Sequence, residues 1–413
     1  MVGKFLIVAL ALLGLGCSTF PVSAGTLAQW VQYRADGTAE IRAVAEAKGC
    51  PALLIDRKSV AMAERAGPSP GFDGHICAAP VPPGAVDAEL GSLRLGLPKA
   101  RVERIVFFGD TGCRIKGPTI QACADPLAWP FPLLAAKAAE LKPDLVVHVG
   151  DYLYRETACP QGRQDCAGPS GNNWPSWAAD FFTPAAPLLQ AAPWIFVRGN
   201  HEDCERAGTD WLRMLGPGAV PAAGCVPHIP AYAVDIGGLH LAVIDDSDDP
   251  DRQRDEALVL RDRAEFEALP VPPGAASWLL MHKPPRAVVS FGPGLVAGSN
   301  PDLVAALKDG YPPGVDLLIS GHIHAFEAMN FKPPLPPQLL VGNGGSKLDT
   351  APPDLRGLEI GGAMIADGMA RPDFGFLLLQ READGWSGEG YDVSGKRVTR
   401  CALRAGKLDC KPA

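Results

Sequence analysis

From Arg101 onward the chain alternates short runs of consecutive apolar residues with longer stretches of helical spacing. Apolar runs of four or five residues, often β-branched and closed by glycine or proline, read as strands covered on both faces. Such runs fall at Arg104 to Phe108, Asp144 to His148, Trp194 to Arg198, Ser277 to Met281 and Val315 to Ser320. A helix is expected from about Pro132, a good first-turn residue, through Leu141. Strands alternating with helices imply βαβ units around a core sheet. Ala231 to Asp235 and His240 to Asp245, joined by Gly237-Gly238, read as a hairpin. The charged segment Asp249 to Leu269 reads as a solvated helix, and the segments Phe374 to Gln380, Trp386 to Val393 and Cys401 to Cys410 as antiparallel strands.

Ahead of this lies a region of different texture. Residues 25–98 carry short segments with strand character, Ala28 to Tyr33, Ala39 to Val44 and Leu53 to Ala63, punctuated by Gly and Pro, and read as a small β-rich domain. Ala39 to Lys48 is alanine-rich enough to suit a helix as well. The expected division is a leader at 1–24, the β-rich domain at 25–98, a catalytic domain at 99–385 and a C-terminal hairpin segment at 386–413 packed on it. The leader has the form of a secretory signal: Lys4, an apolar run from Phe5 to Leu15, and small residues at Val22-Ser-Ala24 before Gly25. That run is shorter than the ~20 residues needed to span a bilayer, so no transmembrane segment is expected in the mature protein. Periplasmic or secreted localisation follows; Cys17, in Leu-Gly-Cys, offers a lipoprotein alternative.

Composition narrows the picture. With 413 residues, 47% of them hydrophobic, the chain can bury one large domain and a small one. A net charge of −8 and the absence of a basic block argue against nucleic acid as partner. Loss of the leader removes Cys17 and leaves an even number of cysteines, which suits an oxidising compartment. Sequence neighbours could pair as Cys50 with Cys77, Cys113 with Cys123, Cys159 with Cys166, Cys204 with Cys225 and Cys401 with Cys410, although spacing alone does not fix connectivity.

The candidate chemistry sits at the strand ends. Each of the five apolar runs is followed at once by potential ligands: Asp110, Asp151 with Tyr154, Asn200-His201-Glu202, His282, and His322 with His324. Open α/β sheets keep their active sites at the carboxyl ends of strands. A carboxylate such as Asp151 can bridge two cations through its two oxygens, and two imidazoles spaced as in Gly-His-x-His can address one each. His148 points from a strand body and reads as core or as a support behind the ligands, and Asp245 and Asp246, which close a strand, could give such support but read first as acidic turn residues.

In this order the blocks Gly-Asp-x-Gly, Gly-Asp-x-x-Tyr, Gly-Asn-His-Glu, Leu-Leu-Met-His and Gly-His-x-His resemble the calcineurin-like metallophosphoesterases, and within them the purple acid phosphatases, over roughly residues 101–345. The resemblance implies a four-layer α/β/β/α sandwich. It implies two metal ions: ferric iron held by Asp110, Tyr154 and His324, and Zn, Fe or Mn held by Asn200, His282 and His322, with Asp151 bridging. A phenolate ligand favours a strongly charged, hard cation. His201 would face the substrate phosphate or protonate the leaving group, with Glu202 orienting it. The implied activity is hydrolysis of small-molecule phosphomonoesters by hydroxide derived from metal-bound water; a phosphodiesterase or nucleotide hydrolase on the same site is the alternative, and a non-catalytic binding protein a remoter one.

Two departures bear on that expectation. Gly112 stands where the wider superfamily commonly has a histidine, a vacancy that Tyr154 can fill. No histidine lies between His282 and His322, where plant relatives place substrate-facing ones; Lys283 or Arg286 is the candidate replacement. Oligomeric state is not legible from the sequence.

Overall fold

The structure is a computed structural model that describes residues 25–46, 49–290, 292 and 296–413. The expected leader and the Cys17 alternative lie outside the described residues. Two large sheets face each other. The first has eleven strands, with Arg104–Phe108, Leu145–His148 and Trp194–Phe196 side by side and parallel near its middle. The second has eight strands and carries Ala276–Leu280 and Val315–Ser320 as parallel neighbours.

Period-two alternation explains why these strands are apolar throughout. In Arg104–Phe108, Ile105 and Phe107 enter the core between the sheets, while Val106 and Phe108 face outward into a second core. Trp278 and Leu280 meet them from the opposite sheet, and Leu279 and Met281 face the other way into a third. Helices cover both outer faces. Phe131–Glu140 starts with a proline in its first turn and buries Phe131, Leu134, Ala135 and Ala138, one stripe of the helix, against the first sheet. Glu256–Ala268 is capped by Asp255 and packs Val259 and Phe266 on the second. The layers are therefore helix, sheet, sheet, helix, as expected for a metallophosphoesterase sandwich.

The helix anticipated from Asp249 begins only at Glu256. The residues before it form a loop tied down by Arg261, which pairs with Asp248, Asp249 and Asp262 at 2.8 Å each. Its acids are therefore only partly solvated: Asp249 and Asp262 are buried.

The N-terminal region is β-rich. Ala39–Ala45 is a strand, because it pairs along its whole length with Thr26–Tyr33. Thr26–Tyr33 in turn lies parallel to Trp194–Phe196 through Gln32 and Trp194, so these strands continue the first sheet. On its other side the same sheet runs through Gly375–Glu382, Gly385–Asp392, Arg397–Arg404 and Lys407–Pro412. All five sequence-neighbour disulfides form. Among the described residues no helix is long and apolar enough to cross a membrane.

Candidate metal centre

The five strand ends meet at one place, the rim where the two sheets face each other. Asp110, Asp151 and Asn200 follow the three parallel strands of the first sheet; His282 and His322 follow the two of the second. Three of these residues sit in left-handed backbone conformations that side chains other than glycine rarely adopt: Asp110 with φ 57°, Asp151 with φ 64° and His322 with φ 67°. Such strain persists only where the surroundings impose it, and it turns these side chains off the ends of their strands toward each other. Gly150, with φ 102°, leaves room for the imidazole of His282, which a Cβ there would strike.

Two donor sets result. In the first, the Tyr154 hydroxyl lies 2.6 Å from Asp151 Oδ2, 3.0 Å from Asp110 Oδ1 and 2.9 Å from His324 Nε2. In the second, Asn200 Oδ1 lies 3.0 Å from His282 Nε2 and 2.9 Å from His322 Nδ1, with His282 Nε2 3.2 Å from Asp151 Oδ1. Asp151 belongs to both and offers one oxygen to each. The ligand atoms of Asp110, Asp151 and His324 all lie within 4.8 Å of one another, as do those of Asp151, His282 and His322.

The set suits cations on its chemistry. Asp110 and Asp151 are buried side by side, which is costly without compensating positive charge. Protons partly supply that charge: burial opposes ionisation of His282, but Asp151, Asp110 and Asp246 outweigh it and push its pKa up to about 10. Burial, reinforced by Asp110 and Asp151, holds the Tyr154 phenol well above its ordinary value, a preference that a multivalent cation inverts. Space agrees with charge. A side chain at Gly112 would run into the Tyr152 carbonyl at 2.5 Å and Tyr154 Cδ2 at 2.9 Å, so the backbone of that turn and the tyrosine ring together leave no room for a histidine there. His282 and His324 are oriented by their far nitrogens, Nδ1 lying 2.8 Å from the Val149 carbonyl and 2.7 Å from the Lys347 carbonyl.

Every expected site residue except Glu202 turns its side chain to this centre. Glu202 was expected to orient His201. Its carboxylate instead accepts the backbone N–H groups of Asp151, Tyr152 and Leu153 at 3.2, 2.9 and 3.1 Å, and so holds the turn that carries Asp151. Adjacent residues in the tight Asn200–Glu202 turn point different ways, so sequence neighbours do not share a task. His201 Nδ1 lies 3.2 Å from the Leu153 carbonyl and 2.7 Å from Oε1 of Glu156, which also receives Arg206. Burial works against ionised Glu156, but His201 and Arg206 hold its pKa down at about 2, while burial keeps that of His201 itself below the ordinary imidazole value. His201 Nε2 is left 3.8 Å from Asp151 Oδ2, facing the donor sets.

Sequence reasoning missed Glu156 and undervalued Asp246. Asp246 accepts the backbone N–H groups of His282 and Lys283 at 3.1 and 2.8 Å, fixing that turn as Glu202 fixes the other. Its place, in an acidic pair closing an apolar strand, was the available signal; Glu156 had none. His148 is a core residue, hydrogen-bonded to Thr111 at 2.9 Å and stacked on Tyr152. Arg286 is buried against Tyr311 and the Gly361 carbonyl, leaving Lys283 as the nearer cation. Lys283 lines two clefts, one of about 700 Å³ reaching His322 and one of about 460 Å³ reaching Asn200.

The sequence model of the calcineurin-like phosphoesterases matches residues 103–326, more than half of the chain. The chain belongs to that family. This calcineurin-like phosphoesterase is accordingly a metal-dependent phosphoester hydrolase, of a fold that implies a pair of metal ions and small-molecule phosphate esters as substrates. Among solved structures it is similar to a purple acid phosphatase from yellow lupin (Lupinus luteus) seeds, with TM-score 0.57 at 14% identity over 91% of this chain and 73% of that one. It is similar also to PhoD, with TM-score 0.56 at 11% identity over 96% and 94%. At such identities the likeness is one of fold. No curated protein matches the chain in sequence.

Proposed function

We propose that this phosphoesterase is an exported phosphomonoesterase with a dinuclear metal centre. The observation that carries the reading is the shared carboxylate: Asp151 closes two three-residue clusters at once. Asp110, Tyr154 and His324 would hold one cation and Asn200, His282 and His322 the other. Tyr154, in the space Gly112 leaves, favours ferric iron in the first set; the amide and imidazoles of the second suit Zn, Fe or Mn. When bound, such a pair supplies Lewis acidity to phosphoryl oxygens and makes water acidic enough to serve as nucleophile. His201, braced at Nδ1 by Glu156, would in its protonated form donate from Nε2 to the leaving oxygen. The larger cleft offers room for the organic group. Five disulfides support export.

Elemental analysis with a visible spectrum tests this. Two metal ions per chain are expected, one of them iron, with a green-to-yellow charge-transfer band that disappears in Tyr154→Phe. Protein that takes up no stoichiometric metal would end the proposal. A second reading, a phosphodiesterase, draws on the paired clefts, since a diester has an organic group for each. Faster turnover of bis(4-nitrophenyl) phosphate than of 4-nitrophenyl phosphate would favour it.

A further inference from the structure

The three imidazoles of the centre are not braced alike. His282 and His324 present Nε2 inward and spend Nδ1 on backbone carbonyls, those of Val149 and Lys347. His322 is reversed: Nδ1 faces Asn200 Oδ1 at 2.9 Å, and Nε2 points outward to Asp251 Oδ1 at 3.5 Å. The Asp251 carboxylate does not float. Its Oδ1 is 3.0 Å from Lys283 Nζ, and that ammonium also donates to the Asp249 carbonyl, in the loop secured by Arg261.

We propose that Asp251 is a positioning residue for the second cation, accepting the Nε2 proton of His322 and thereby fixing the tautomer whose Nδ1 lone pair points inward. The inference rests on the dinuclear reading above. A carboxylate behind a ligating imidazole orients the ring and makes its inner nitrogen more basic, which a neutral carbonyl does less strongly. The arrangement is also lopsided in exposure: the Asp251 side chain is 53% exposed and that of His322 21%, against 0% for His282. The first cation's set has no contact with Asp251, so the effect of losing it is confined to the second. Because the anchor stands at the surface, removing it opens no cavity in the core.

The test uses the metal-loaded full chain. Wild type, Asp251→Asn and Asp251→Ala are dialysed against graded chelator, and metal per chain is measured beside the visible spectrum and the melting curve. In Asp251→Ala the apparent affinity for the second cation falls about 10- to 100-fold. Asp251→Asn, which keeps an acceptor oxygen, falls by less, and the Tyr154 band and melting temperature of both variants stay at the wild-type values. Retention of the second cation by Asp251→Ala at wild-type affinity would overturn the assignment, and so would joint loss of both cations. Wild-type protein binding no second cation would instead sink the dinuclear reading itself.

Discussion

The donors around Tyr154 and those around Asn200 differ most in what stands behind them. Asp110, Tyr154 and His324 are buried and braced from within the fold, His324 by the Lys347 carbonyl and Asp110 by the His322 backbone N–H at 2.9 Å. Asn200 and His322 are half-buried and lie along the walls of two clefts, and His322 leans on a surface loop through Asp251, although His282 of the same set is buried. Under the dinuclear reading, burial would keep one cation in place and the open rim would bring the other within reach of substrate, with Asp151 common to both sets.

Several substitutions break or sharpen that contrast. Asp151→Ala removes the one residue common to both sets, so metal analysis should find neither ion and hydrolysis of 4-nitrophenyl phosphate should drop to background. Survival of one set alone would show the two to be independent. His322→Ala is expected to take out only the open set, leaving one metal ion per chain and an intact visible band. His201→Ala removes no member of either donor set; kcat should fall about 10²- to 10⁴-fold at unchanged metal content. Glu156→Gln, acting on His201 from behind, should cost about 10- to 100-fold in kcat with both metal ions retained. Glu202→Ala strips the acceptor from three backbone N–H groups and should lower unfolding free energy by on the order of 3 kcal/mol in a denaturant titration.

The five donor blocks are legible because each follows an apolar run directly, so strand periodicity and turn chemistry mark the same positions. The residues that brace them were not. Glu156 stands in an irregular loop and Asp251 in a run of acids, where nothing in spacing separates a brace from a solvated charge. Glu202 adjoins His201 in sequence but not in the direction of its side chain; its carboxylate reaches back about fifty residues to the Asp151 turn. The strand at Ala39–Ala45 illustrates the same limit from the side of the fold. Its alanines accept helix or strand, and the pairing partner Thr26–Tyr33 decides.

The three strands that deliver Asp110, Asp151 and Asn200 are flanked by a segment from each end of the chain, Thr26–Tyr33 beside Trp194–Phe196 and Gly375–Glu382 beside Arg104–Phe108. Opening residues must wait for a partner made much later, and the middle of the chain waits for its last quarter. Assembly that depends on such distant pairings is slow, and a half-synthesised polypeptide cannot close the sheet. The sheet beneath the donor sets is therefore complete only once the last quarter of the chain has been made.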